Sequence, residues 1–258
     1  MNVKKHIEEY WDWRSTSYAN GATNLGDEER ELWKQSLSPY IGNEPLRVLD
    51  VGTGRGFLAL LLAEMGHDVT AVDISQAMIN EATKESKSRN LNIRFFKNDA
   101  EDLPFDNDSF DLVVSKYLLW TLPNPDKALE EWNRVLITNG KILAIDGNWF
   151  DPSFTKKVKR NLNRLIQKVM FKDPTSGVIR QGKFKKHYSA FNDSLPLYSN
   201  VRPESVQPFF EKAGFSNISI NPLSEIRDYN LKQLNPIIRP LQTDVAFLVS
   251  AISSSEEK

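Results

Sequence analysis

The sequence contains no cysteine. That excludes a disulfide framework, thiolate metal sites and a cysteine nucleophile, and it fits a cytosolic protein. No apolar run approaches the roughly 20 residues a membrane-spanning helix needs. The segment Met1 to Tyr10 is charged rather than apolar, so no signal peptide is expected there. Glycine and proline are modest, at 12 and 13 of 258 residues, beside 40% apolar and 26% charged residues. Collagen-like, low-complexity and wholly disordered chains are thereby excluded. The length suits one large domain, or one domain with an elaborated lobe. No metal site is expected from the scattered His6, His67 and His187.

Charge is nearly balanced overall at −1, but unevenly placed. Residues 151–200 hold eleven Lys/Arg against three Asp/Glu, a balance of +8, so the remainder carries −9. Such a segment is a solvated basic face, or it meets an anionic substrate or an anionic membrane surface. No recognised nucleic-acid motif accompanies it, so nucleic acid is not an expected partner.

Residues 1–40 read as helical with a break at Asn20 to Asn24. From Leu46 to Ala144 strands and helices alternate. Strands are expected at Leu46–Val51, Asp68–Asp73, Ile93–Phe96, Phe110–Ser115 and Lys141–Asp146. Helices are expected at Phe57–Met65, Gln76–Arg89 and Asp126–Leu136, with Asn139-Gly140 as a turn into the fifth strand. This is the pattern of βαβ units on a parallel sheet covered on both faces, with right-handed crossovers. Asp151-Pro152 then opens a basic amphipathic helix. Its stripe is Phe154, Val158, Leu162, Leu165, Ile166 and Val169, and most other positions are Lys or Arg. A helix at Pro203–Ala213 ends at Gly214, and late strands are expected at Ile218–Ile220 and Asp244–Val249.

Three acids stand where strands end. Asp50 precedes Gly52-Thr53-Gly54-Arg55-Gly56, a glycine-rich turn between a strand and a helix. Glycines there allow positive φ and close backbone approach to a ligand. The spacing Gly-x-Gly-x-Gly differs from the Gly-x-Gly-x-x-Gly of dinucleotide folds. Asp50 suits a cofactor with a cationic group and would repel a pyrophosphate. Asp73 closes the second strand, where an acid can bond two ribose hydroxyls; the alternative is a helix cap before Ser75. Asn98-Asp99-Ala100-Glu101 follows the third strand, where an acid can accept from an adenine amino group; the alternative is a polar turn.

Together these segments resemble a class I S-adenosylmethionine-dependent methyltransferase, in the small-molecule group that includes the ubiquinone and menaquinone methyltransferases. Val48 to Gly56, Ala71 to Ser75 with Met78, Asn98 to Glu101 with Leu103-Pro104-Phe105, and Ser109 to Val113 carry the likeness. It extends loosely over residues 203–250. Arg55 departs from the usual small residue, and Ile137-Thr138-Asn139 replaces a Lys-Pro-Gly turn.

The resemblance implies an α/β, Rossmann-like, seven-stranded, mostly parallel sheet with one antiparallel strand and helices on both faces. It implies S-adenosylmethionine as cofactor and S-adenosylhomocysteine as product. Asp50, Gly52, Thr53, Gly54 and Gly56 would hold the methionine end, and Asp73 the ribose. Ile74 and Met78 would sandwich the adenine, Asp99, Ala100 and Glu101 would surround its polar edge, and Ser115, taken as just past strand four, would lie beside the methyl donor.

Substrate candidates come from the aromatic residues flanking that mouth. Tyr10, Trp11, Arg14 and Tyr18 lie where the family folds an N-terminal helix over the cofactor, and Arg14 is a candidate for the cofactor carboxylate. Tyr117, Trp120, Trp149 and His187 complete the set; packing is the alternative for each aromatic. Asp146, ending strand five, is a base or a cap. The expected organisation is a helical lid at 1–43, a cofactor-binding core at 44–150, an inserted substrate-facing cap at 151–200, completion of the sheet at 201–252 and a tail at 253–258. The apolar stripe of the cap is expected against the aromatic mouth, whereas membrane docking would leave it exposed. The competing functions are a small-molecule methyltransferase, a membrane-docking quinone-type C-methyltransferase, and a non-catalytic binding protein of the same fold.

Overall fold

The computed structural model describes residues 2–18, 26–148, 153–170, 187–188, 190–243 and 246–254. Its centre is a seven-stranded sheet: β1 (Arg47–Val51), β2 (Asp68–Asp73), β3 (Ile93–Lys97), β4 (Phe110–Lys116), β5 (Leu136–Gly147), β6 (Phe215–Pro222) and β7 (Ala246–Ser253). The order is β3-β2-β1-β4-β5-β7-β6. β1 to β5 pair in parallel, and β7 runs antiparallel to both β5 and β6. The expected sheet, with its one reversed strand, is therefore present.

Strands buried on both faces need unbroken apolar runs. β2 is buried from Val69 to Asp73, and Val48 to Val51 of β1 are buried throughout. The described helices include α1 (Val3–Arg14), α2 (Asp27–Ile41), α3 (Phe57–Glu64), α4 (Gln76–Ser88), α5 (Pro125–Val135), α6 (Phe154–Met170), α7 (Pro203–Lys212) and α8 (Ser224–Gln233). α3 is apolar nearly all round and buries six consecutive residues, Phe57 to Leu62, as the central helix beside β1 and β2. α5 begins on strong signals, with the Asn124 side chain accepting from Lys127 N and Pro125 in the first turn.

Two cores flank the sheet. One gathers α2, α3 and α8 through Trp33, Leu37, Leu60 and Ile226. The other gathers α1, α5 and α7 through Tyr10, Trp132 and Phe210, together with Tyr188 and Phe191. The two N-terminal helices thus belong to opposite layers, and only α1 lies over the mouth, so the expected 1–43 lid divides. The loop at Asn20 to Asn24 lies outside the described residues. So do Asp151-Pro152, where the helix cap is expected, and Lys183, Lys185 and Lys186 of the basic segment.

β5 also differs from expectation. It begins at Leu136 rather than Lys141, with Asn139 at φ 62°, and its pairing with β4 shifts between Phe110 and Leu112. The Asn139-Gly140 turn is absorbed as an irregularity within the strand. α8 carried no sequence signal, because it is mostly polar and buries only Ile226.

Candidate active site

The carboxyl ends of β1, β2, β3 and β4 open into one cavity, roofed by α1. Its wall includes Asp50, Gly52, Thr53, Gly54, Asp73, Ile74, Met78, Asp99, Ala100 and Glu101. Every sequence-predicted cofactor residue is there except Gly56 and Ser115. Gly56 instead starts α3, where an added Cβ would lie 3.3 Å from that of Ala82. Ser115 is a correction: it lies within β4, which runs on to Lys116, and its buried Oγ has no hydrogen-bond partner among the described residues. Side chains alternate along a strand, so a one-residue change of position moves a side chain to the other face. The residues on the wall are Lys116 and Tyr117.

Asp50 is 1% exposed. Its Oδ2 accepts from Thr53 Oγ1 at 2.6 Å and Ala59 N at 3.1 Å. Burial, with the Asp73 charge adding to it, pushes its carboxyl up to about 7, against the pull of Thr53, Ala59 N and Lys116. Asp73 ties the glycine turn to the next helix. Its Oδ2 accepts from Gly54 N at 2.8 Å and its Oδ1 from Ser75 N at 2.9 Å. Burial pushes it up to about 6 despite both bonds. The cap of α4 is Ser75 itself, which accepts from Met78 N. Gly52 sits at φ 69°, a left-handed conformation that favours glycine, and a Cβ there would also crowd the tip of the Leu118 side chain at 2.7 Å.

Asp99 and Glu101 are joined by a residue the sequence reading missed. Lys4 Nζ of α1 lies 2.6 Å from Asp99 Oδ2 and 2.6 Å from Glu101 Oε2. Glu101 also accepts from Asn124 N at 2.8 Å. α5 braces this loop: Trp132 Nε1 donates to Ala100 O at 3.0 Å, and Arg134 donates to Leu103 O and Phe105 O. A second pin from α1 is Asp12, whose Oδ1 accepts from Ser75 Oγ at 2.6 Å and Ala77 N at 3.2 Å. Neither Lys4 nor Asp12 had a local signal, because their partners lie more than sixty residues away.

Lys116 is a third missed group. Its Nζ lies 4.1 Å from the Phe57 ring centre, 3.9 Å from that of Tyr117 and 5.7 Å from that of Trp33. No carboxylate among the described residues lies within ion-pair distance. Burial lowers its ammonium to about 7, while Asp50, Glu29 and Asp146 oppose the shift. The aromatic faces offset part of the lost hydration. Tyr117, at φ 61°, turns the chain sharply there, a conformation that costs about 1–3 kcal/mol for a residue with a side chain.

Among the substrate candidates, Trp11, Tyr18 and Tyr117 are on the wall. Tyr10, Trp120 and His187 are not. Tyr10 and Trp120 pack on the buried Tyr188, at ring distances of 5.2 and 5.3 Å. His187 Nε2 pairs with His6 O at 2.7 Å. Arg14 bonds Ser17 O and Oγ and lies over Tyr18, so it does not serve the cavity. Trp149 lies outside the described residues. Asp146 is buried inside β5, where its Oδ1 accepts from the adjacent Gly147 N. Arg55, the departure from the usual small residue, joins the wall and donates to Tyr18 O at 3.0 Å.

A glycine turn after β1, acids at the ends of β1, β2 and β3 and one reversed strand define a class I methyltransferase fold and site. The methyltransferase domain model matches residues 49–144. The ubiquinone/menaquinone biosynthesis C-methyltransferase UbiE of Rickettsia felis is 30% identical over 201 residues, covering 75% of this chain and 77% of the relative. Among solved structures, geranyl diphosphate C-methyltransferase of Streptomyces coelicolor A3(2) aligns with a TM-score of 0.62, 14% identity and 98% of each chain. Phosphoethanolamine N-methyltransferase 2 of Haemonchus contortus aligns with a TM-score of 0.63 and 16% identity, over 99% of this chain and 61% of that one. These two show the fold. The chain belongs to the class I S-adenosylmethionine-dependent methyltransferases, and S-adenosylmethionine is its methyl donor.

Proposed function

We propose that this methyltransferase acts on a ring carbon of an apolar, quinone-type small molecule entering beneath α1. The observation that carries the reading is the two-sided wall of one cavity. Acids and Lys116 supply its polar part, and Ile7, Trp11, Tyr18, Leu118, Leu122 and Pro123 supply an apolar, aromatic remainder. The relatives named as ubiquinone/menaquinone biosynthesis C-methyltransferases support an acceptor of that kind.

The residues present fit the cofactor. Asp50 Oδ1 carries no protein hydrogen bond among the described residues and suits the ammonium of its amino-acid end. Lys116, a cation without a close anion, suits the carboxylate, the role first given to Arg14. Asp73 suits the ribose hydroxyls, and Ile74 with Met78 the adenine faces. When bound, S-adenosylmethionine supplies an electrophilic methyl group on a sulfonium. The protein's own part is orientation and exclusion of water, effects that contribute roughly 7–11 kcal/mol in favourable cases. Trp11 and Tyr18, in edge contact at 5.2 Å, close the α1 side. Beyond the acids assigned to the cofactor and its anchoring, the polar side chains on the wall include the hydroxyls of Tyr18, Tyr117 and Thr121. Positioning therefore carries more of this reading than a general base.

Calorimetric titration with S-adenosylhomocysteine tests the donor site. Transfer of a labelled methyl group to demethylated quinol rings, with and without an isoprenoid tail, tests the acceptor. Binding without transfer to any such ring would overturn the acceptor reading and leave the donor site standing.

A further inference from the structure

The amphipathic helix α6 is mounted with its apolar side outward. Phe154 is 79% exposed, Val158 46%, Leu162 44% and Leu165 58%. The expectation that this stripe packs on the aromatic mouth is therefore corrected. The half-buried positions are Lys156, Arg160, Asn163 and Ile166, most of them polar, and α6 packs against the turn at Arg239–Leu241. A second exposed apolar residue, Ile237 at 54%, stands just before that turn. Five of the six large apolar side chains that stand exposed among the described residues, all but Phe96 of β3, thus lie on α6 or next to the turn it packs on, and such a cluster marks an interaction surface.

We propose that this face docks on an anionic lipid bilayer. Charge decides the occupant. The stretch Phe154 to Met170 contains six Lys/Arg and no Asp or Glu. The described Lys157 and Lys159 are exposed on either edge of the apolar stripe. An apolar face edged by cations is the arrangement that lies in a bilayer interface, stems in the acyl boundary and ammonium groups at the headgroups. Net attraction to anionic lipid then adds to apolar burial and weakens with salt. No described helix is long and apolar enough to cross a membrane, so the contact is peripheral. α6 also begins a few residues after the carboxyl end of β5, which is parallel to β4, so it starts from the same end of the sheet as the cavity. Docking there brings an apolar acceptor's source and the cavity to the same side.

The test is co-sedimentation of the full chain with vesicles of phosphatidylcholine alone or mixed with phosphatidylglycerol, at low and high salt. Binding is expected to the anionic vesicles, weaker in high salt, and lowered at least about tenfold by Phe154→Ser with Leu162→Ser. Both residues are exposed, so the fold and S-adenosylhomocysteine affinity should be unchanged. Failure to bind either vesicle would overturn the proposal. So would binding that the double substitution leaves intact, or a wild-type dimer that it splits, which would assign the face to a second copy. The vesicle readout needs no turnover, so its failure and that of the quinone reading are separable.

Discussion

Replacing Asp50 with Asn should stabilise the cofactor-free protein and weaken cofactor binding. Burial raises the Asp50 carboxyl from an ordinary value of 3.8 to about 7. A raised folded-state value means the folded chain holds the proton more tightly. Its stability contribution is complete below about pH 4 and is lost as pH climbs through about 7. The gap of about three pH units corresponds to ~4 kcal/mol at most, at 1.36 kcal/mol per unit. Asn keeps an oxygen for Thr53 Oγ1 and Ala59 N and carries no charge. Its amide is still desolvated, and Lys116 loses the carboxylate that faces it, so the net gain should be about 1–3 kcal/mol near pH 8. Near pH 4 both forms are neutral and the gain should vanish. In the other direction, an ammonium loses a charge-assisted bond of roughly 1.5–3 kcal/mol, or about tenfold to a hundredfold in affinity. Urea unfolding at the two pH values and calorimetry with S-adenosylhomocysteine read both effects. A variant less stable near pH 8 with unchanged affinity would refute the assignment, since a purely structural carboxylate behaves that way.

Asp73→Ala removes the acceptor of Gly54 N and Ser75 N as well as the proposed ribose partner. It should weaken S-adenosylmethionine binding by roughly 1.5–3 kcal/mol and lower the unfolding midpoint too; unchanged affinity in a folded variant contradicts the role. Lys116→Met keeps the packing against Phe57 and Tyr117 but removes the cation. S-adenosylhomocysteine should bind about tenfold more weakly, while the decarboxylated analogue should lose nothing; equal losses would show that Lys116 does not meet the carboxylate. Hydrogen exchange across residues 5–17 should slow when cofactor binds, because α1 roofs the cavity and is pinned by Lys4 and Asp12. Lys4→Met should speed that exchange in the free protein, and no change in either experiment would mean α1 is not a closing lid.

The parts of the site legible in the sequence are those where one segment carries its own meaning. β1 and β2 announce themselves as apolar runs because both faces are covered, and Asp50 and Asp73 stand at their ends because the chain leaves the sheet there. Lys116 could not be read this way. Its environment is made by Trp33 and Phe57, from a helix before β1 and a helix after it, and only the fold brings them to the end of β4. Ser115 falls on the wrong face because β4 runs one residue further than its apolar run suggests, and side chains alternate along a strand. For α6, periodicity identified the apolar stripe but contained nothing about which side meets the body.

Asp50, Asp73 and Lys116 share one physical state. Each is a charge-bearing group drawn into a poorly hydrated cavity, and burial moves each toward its neutral form. The two acids lose stability as pH rises from about 4 to about 7. Lys116, whose folded value is depressed, gains it as pH rises from about 7 towards its unfolded value. Their contributions to the free fold therefore pass through a minimum near neutral pH. A fold selected for stability alone would place apolar residues at these positions. A ligand carrying an ammonium, a carboxylate and two ribose hydroxyls supplies what each group lacks. Binding then draws the acids toward carboxylate and the lysine toward ammonium, so affinity should be highest where little proton exchange is required, around neutral pH. On the proposed assignment the destabilised groups are the ones that meet the cofactor, and the Asp50→Asn variant separates the two properties.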